Sequence, residues 1–349
     1  MNALDFTFHG ARIRVESEDE EAIRFVESDF SLFLDAPGAP PDAASYAPGA
    51  GPDITVRLHY SEPPWDSIAG RKRVWRTKDA DVYRIGGVLY YDSRREVLVV
   101  YDPKRGQADI HTADRDLLYE KAYLMIVTRA GALLDAKGIH RIHAMGVEYE
   151  GRAALCLMNM GGGKTTLALS LMKKNDFRLL SEEIPLVTRR GSLLPMPIRI
   201  GVLPDFPHGI PASFTKPFQR RRYGPKTLID TRYFEDRIAG ETGPGVLFVG
   251  RRTERKEPRI LPVSRMKAFR TLFQLCVAGS GLPQLLEYVI RFDFGDPFRQ
   301  IPIHWSRLMA SIRLVRGSET FELLLGTDID RNAEEVARFL RARYGKASS

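Results

Sequence analysis

Three groups of residues have the types and spacing that chemistry needs. The first is the segment AALCLMNMGGGKTTLALSLMKK, residues 153–174. An apolar run leads into three glycines, then Lys164, Thr165 and Thr166, then an amphipathic stretch. That order is what a phosphate-binding loop requires. Glycines let the backbone curl so that its N–H groups face an anion. The helix start that follows adds partial positive charge and unpaired donors. Lys164 would reach the β- and γ-phosphates of a nucleoside triphosphate, and the Thr165 hydroxyl would meet Mg²⁺. Asn159, Met160, Gly161, Gly162, Gly163, Lys164, Thr165 and Thr166 are therefore the candidate nucleotide contacts. In the pattern G-x-x-x-x-G-K-[ST], the first glycine position holds Met158. A side chain there resists positive φ, so a slightly reshaped loop is expected.

The second group is the pair Glu182 and Glu183, which follows an apolar run at 177–180. Carboxylates are hard ligands for Mg²⁺ and can take a proton from a hydroxyl. The plainer reading is a solvated strand end, and neighbours on a strand point to opposite faces. The third group is histidine and arginine. His143, read on a strand at 142–149 beside apolar Ile142 and Ala144, reads on its own as a satisfied core residue. His140, three residues earlier, is read as a bystander. Arg251 and Arg252 end an apolar run at 245–249 and could neutralise phosphate oxygens. The loop cluster 220–222 with Lys226 suits an acidic partner or simply water, and 71–73 reads as a solvated turn.

These residues must be carried by ordered elements. Alternation predicts a strand pair over 3–15, a strand at 54–60, and four short strands at 82–85, 88–91, 97–101 and 108–111. Helical spacing predicts a helix within 18–34. A Pro-, Ala- and Gly-rich stretch at 35–52 reads as a linker. A long helix is expected at 114–137, started by Thr112 or Asp114 and closed by Gly138. Beyond the phosphate loop, the readings are a helix at 165–174, strands at 177–180 and 184–187, and two further helices. These lie near 266–275 and 332–343, the last capped by Asp330 or Asn332. The expected organisation is an N-terminal α+β module, residues 1–111, that would choose the substrate, and an α/β catalytic domain, residues 112–349.

The chain of 349 residues has ample apolar material for a core, and 52 Lys and Arg against 44 Asp and Glu leave a net charge of +8. Such an excess suits anionic ligands without arguing for nucleic acid. No nucleic-acid partner and no membrane are expected: no apolar stretch of about 18 residues occurs. The N-terminus lacks a signal-peptide pattern, and a cytoplasmic location is expected. The two cysteines, Cys156 and Cys276, offer no disulfide framework.

From 142 to 187 the sequence reads IHAMGVEYEGRAALCLMNMGGGKTTLALSLMKKNDFRLLSEEIPLV. This stretch resembles the catalytic domain of HPr serine kinase/phosphorylase, a group similar to phosphoenolpyruvate carboxykinase around the nucleotide. His143 matches the family histidine, and Glu182 and Glu183 stand where the family usually has two Asp residues. The Gly- and Arg-rich motif that true members carry after the acidic pair is not evident, so the chain resembles a divergent relative. The resemblance implies a P-loop kinase domain of that α/β type, using ATP and Mg²⁺ and phosphorylating a Ser or Thr hydroxyl of an unknown protein or peptide. It implies Glu182 as the base, Glu183 with Thr165 at the metal, Lys164 and His143 in catalysis, and a homo-oligomer. Two alternatives stay open: a nucleotide-binding regulatory module without transfer chemistry, and a phosphotransferase for a small metabolite.

Overall fold

The computed structural model describes residues 1–34, 51–77, 79–207, 209–220, 224–282 and 301–345. The linker read at 35–52 falls almost wholly outside the described residues, as do positions 221 and 222 of the basic loop. The described chain is mixed α/β and divides into two compact units. The first comprises Met1–Leu133 and Thr215–Asp230; the second comprises Leu134–Phe214, Thr231–Leu282 and the C-terminal residues 301–345. The long helix expected to open the second domain thus lies mostly in the first unit.

The first unit is built on eight strands: β1 (Asn2–Phe8), β2 (Ala11–Ser17), β3 (Ile54–Tyr60), β4 (Arg73–Arg76), β5 (Asp81–Ile85), β6 (Val88–Ser93), β7 (Val97–Asp102) and β8 (Gln107–Thr112). They form one sheet in the order β1-β2-β3-β8-β7-β6-β5-β4. Strand β3 runs parallel to both β2 and β8, while the remaining pairs are antiparallel. Helix α1 (Glu20–Asp29) lies between β2 and β3 in the chain, as a crossover to a parallel strand requires. Asp19 caps it, and Ala22, Ile23 and Val26 are buried. Arg73, read as part of a solvated turn, instead begins β4 and pairs with Asp81 at 3.0 Å. Helix α2 (Arg115–Ala136) is capped by Asp114, whose Oδ1 accepts from Leu117 N at 3.0 Å. Gly138 follows it at φ +74°.

The second unit opens with β9 (Ile139–Arg141), β10 (Met145–Tyr149), β11 (Arg152–Leu157), α3 (Lys164–Met172), β12 (Arg178–Ser181), β13 (Leu186–Thr188), β14 (Leu193–Leu194) and β15 (Ile200–Val202). The antiparallel hairpin β16 (Thr215–Arg220) and β17 (Gly224–Ile229) then belongs to the first unit. The second resumes with β18 (Gly243–Arg252), β19 (Arg259–Pro262), α4 (Arg265–Leu272), α5 (Ile301–Gly317), β20 (Glu319–Leu325) and α6 (Ile329–Tyr344). Its main sheet has the order β12-β10-β11-β18-β20-β19. One apolar core joins that sheet to α3 and α6 through Met158, Leu167, Leu171, Phe248, Leu323 and Val336. A second core joins it to α4 and α5 through Leu155, Leu247, Leu272, Ala310 and Leu314.

Two sequence readings are corrected here. Helix α5 was not foreseen, because Ser306, Arg307 and Ser311 are buried and break the apolar stripe that would reveal it. The last helix begins at Ile329 and is capped by Asp328, not by Asp330 or Asn332. Asn332 instead bridges the N–H and the carbonyl of Gly326.

Candidate functional site

Strand direction brings the candidate residues to one edge. Strand β10 is antiparallel to both β11 and β12, so those two run the same way. Strands β18 and β20 are parallel to β11. The C-terminal ends of β11, β12, β18 and β20, and the start of β10, therefore share one edge. From it emerge the phosphate loop, the acid pair, Arg251 and Arg252, and the segment holding His143. In open α/β sheets this is the edge where ligands bind.

The loop is shaped as the sequence reading of Met158 expects. Met158 does not take positive φ: among the described residues only His9, Arg94, Arg95 and Glu150 do so without being glycine. Its side chain is buried between the sheet and α3. The left-handed turns fall on Gly161 (φ +76°) and Gly163 (φ +99°), where a missing Cβ removes the strain. At Gly162, whose N–H donates to Asn159 O at 3.2 Å, a Cβ would sit 3.0 Å from that same oxygen. Gly163 caps α3 without a side-chain bond, so the first-turn amides of Lys164, Thr165 and Thr166 have no capping side chain. Asn159, Met160 and Gly161 are exposed. The cradle can take an anion, and it favours glycine by positive φ at Gly161 and Gly163 and by close approach at Gly162.

Lys164 lies over this loop. Its Nζ donates to Met158 O at 2.8 Å, to Asn159 O at 3.1 Å and to His143 Nε2 at 3.1 Å. Burial pulls the ammonium pKa down, and the charges of Glu182 and Glu183 act against that. Because Nε2 of His143 accepts, the ring proton belongs on Nδ1, a buried atom that has no hydrogen-bond partner among the described residues. Burial first, and the Lys164 charge second, lower the His143 pKa to about 4, so the ring is neutral at pH 7. His143 is not on a strand, contrary to the sequence reading. It occupies a bend where the chain leaves a small sheet containing β9 for the main sheet. The bend is held by Ile142 N to Pro185 O (3.0 Å), His143 N to Leu275 O (3.2 Å) and Ala144 N to Glu183 O (3.1 Å).

The acid pair sits beyond β12, where the strand stops and the chain turns. Ser181 Oγ accepts from Ile184 N at 3.0 Å and fixes that turn. Released from strand alternation, Glu182 meets Thr165: the hydroxyl donates to Glu182 Oε1 in a short hydrogen bond. Thr165 and Glu182 thus offer two adjacent hard oxygens. Mg²⁺ usually keeps several waters and takes the rest of its shell from one or two protein groups and phosphate oxygens, so this pair fits it. No cage of three or more ligating side chains exists among the described residues.

Other candidates separate. Arg252 is in register with Leu325, whose Cδ1 lies 3.4 Å from where a Cβ of Gly163 would be. Alternation from the buried pair Phe248–Phe321 puts Arg252 on the α3 face of the sheet. Arg251 takes the opposite face and pairs with Glu322 at 3.3 Å. His140 is fully buried elsewhere, with Nδ1 2.7 Å from Asp135 Oδ1 and Nε2 2.8 Å from Ser306 Oγ. Cys156 is a core residue whose thiol burial pushes up to about 12. Thr166 makes no side-chain hydrogen bond among the described residues. Sequence reasoning missed Ser181, whose turn role is local, and Gly281. A Cβ on Gly281 would lie 2.6 Å from His143 Cδ2, and nothing near Gly281 in the sequence signals that approach. No model of a known protein family matches the chain, and no curated protein matches it.

Proposed function

We propose that the chain is an ATP-dependent kinase that phosphorylates a hydroxyl, a Ser or Thr of a protein or peptide, with a phosphate-loop domain of the HPr kinase and phosphoenolpyruvate carboxykinase type. The observation that carries the reading is the convergence at one sheet edge of a glycine cradle, Lys164, the Thr165–Glu182 pair and His143. Each is a part that phosphoryl transfer uses, since that reaction needs positioning and charge neutralisation more than covalent chemistry.

The loop amides and the start of α3 hold phosphate oxygens, and Lys164 supplies the positive charge. Its bond to neutral His143 fixes the side chain against the loop. Bound Mg²⁺ would neutralise phosphate charge, held by Thr165 and a carboxylate. The contact with Thr165 favours Glu182 for that carboxylate, which leaves Glu183 as the base, the reverse of the roles the resemblance implies. In the transfer the acceptor oxygen bonds to the γ-phosphorus and its proton passes to the carboxylate. The bond from the γ-phosphorus to the bridging oxygen breaks, and ADP leaves with that electron pair.

Calorimetric titration of MgATP into the protein and into Lys164→Ala tests the reading, followed by transfer from labelled ATP. Loss of the cationic group should abolish measurable binding or cut turnover by about 10²-fold or more. Unchanged binding and transfer in the variant would sink the proposal. MgATP binding by the intact protein with no transfer to any Ser or Thr acceptor would favour the regulatory module instead.

A further inference from the structure

The chain's excess charge is concentrated in one place. Residues 251–270 hold eight Lys or Arg (251, 252, 255, 256, 259, 265, 267, 270) and two acids (254, 257), a net of 8 − 2 = +6. The whole chain nets 52 − 44 = +8. The structure gathers part of this charge around a cleft of about 640 Å³ between the end of β18 and β19. Arg251, Arg255 and Arg259 line it with Glu254, over an apolar floor of Leu261 and Leu324. Leu261, on the edge strand of the main sheet, is 43% exposed.

The local acids do not balance these cations. Glu322 serves both Arg251 (3.3 Å) and Lys267 (2.9 Å), and Glu257 is taken by Arg331 (2.6 Å). The side chains of Arg255 and Arg259 make no hydrogen bond or ion pair among the described residues. The cleft also has a telling address. It lies at the C-terminal ends of β18 and β20, the edge from which the phosphate loop emerges, and β18 is hydrogen-bonded to β11. Alternation puts Arg251, Arg259, Leu261 and Leu324 on the face of the sheet opposite α3, so the cleft shares the loop's edge but opens on the other side of the sheet.

From this we infer that the cleft is the docking site for an acidic segment of the protein that receives the phosphoryl group. Three guanidiniums spread around an open cleft with a leucine floor suit an extended chain carrying several carboxylates and an apolar side chain. A compact ion would call for donors that enclose it. The role as acceptor site rests on the proposed transfer activity, whereas the binding itself does not.

The test is fluorescence anisotropy with a labelled ten-residue peptide that alternates Glu and Leu around one Ser, without nucleotide. The wild type is compared with R255E/R259E and with R71E/K72E, a charge reversal in the first unit. The expected result is binding that salt weakens, falls about tenfold or more in R255E/R259E, and is unchanged in R71E/K72E. Equal binding by the wild type and R255E/R259E would overturn the inference. So would equal weakening in R71E/K72E, which would mean attraction to net charge alone. Should the double reversal fail to fold, Arg255→Gln and Arg259→Gln are read by the same criteria. MgATP titration of R255E/R259E separates the two claims. Peptide binding lost with MgATP binding kept supports the docking site. Peptide binding by a wild type that takes no MgATP upholds the site while removing the kinase reading.

Discussion

At the scale of single residues, the contact between Thr165 and Glu182 does most to divide labour in the site. It ties one acid to the hydroxyl that would face the metal and leaves the other on a turn whose backbone holds the His143 segment. Glu182→Gln should therefore raise the Mg²⁺ concentration needed for half-maximal transfer. Glu183→Gln should lower kcat by about 10²-fold with the Mg²⁺ requirement unchanged. Transfer assays over a Mg²⁺ series distinguish the two, and the opposite pattern would restore the roles the resemblance implies. His143 makes a prediction about acid. Its folded pKa of about 4 lies below the ordinary 6.5, so the unfolded chain binds the extra proton between those values. The stability linked to this ring is complete above pH 6.5 and is lost as pH falls towards 4. Unfolding midpoints at pH 7 and pH 5 should differ less for His143→Gln than for the wild type. A variant with the same pH dependence would show that the ring does not titrate as its burial dictates.

Elements explain why parts of the site could be read from sequence and parts could not. The glycine turn between β11 and α3 was legible because strand, glycines, lysine and helix follow one another, and each local preference agrees with the final geometry. The place of His143 was not, because it depends on Lys164, on the turn after β12 and on Gly281, far along the chain. Helix α5 was hidden by its own buried polar residues. Strand β18 was visible as an apolar run, but not the reason it contains Gly250. A Cβ there would lie 2.5 Å from Met158 Cγ and 2.9 Å from Cys156 Sγ. Gly250→Val should cost about 1–3 kcal/mol in chemical denaturation. It should also weaken MgATP binding, because it displaces the residue whose carbonyl holds Lys164. Unaltered stability would mean that the sheet and loop yield more easily than their packing suggests.

At the scale of the molecule, the second unit is secured by charges from distant parts of the chain. Asp135 accepts from both Nε (3.0 Å) and a terminal nitrogen of Arg307, and pairs with His140. Burial would raise its pKa, but the bonds to His140 and Arg307 outweigh it and hold the carboxyl at about 2. Asp135→Asn removes the carboxylate charge that holds the buried Arg307 by two nitrogens and should cost about 3–5 kcal/mol, read as a lower unfolding midpoint. A midpoint within a degree of the wild type would mean that Arg307 finds another partner. Among the described residues no helix is long and apolar enough to cross a membrane.

The order in which the two units take up the chain has a consequence for how such a protein can be rearranged by recombination. The first unit is interrupted after Leu133 and recovers a hairpin at Thr215–Asp230. One crossover near residue 111 would therefore not exchange it for another: a foreign N-terminal half would arrive without that hairpin, and the donor's own would be left among strangers. A clean exchange needs at least three junctions, at 133, 214 and 230. Exchanging the first unit by recombination is therefore a concerted event and not a single cut.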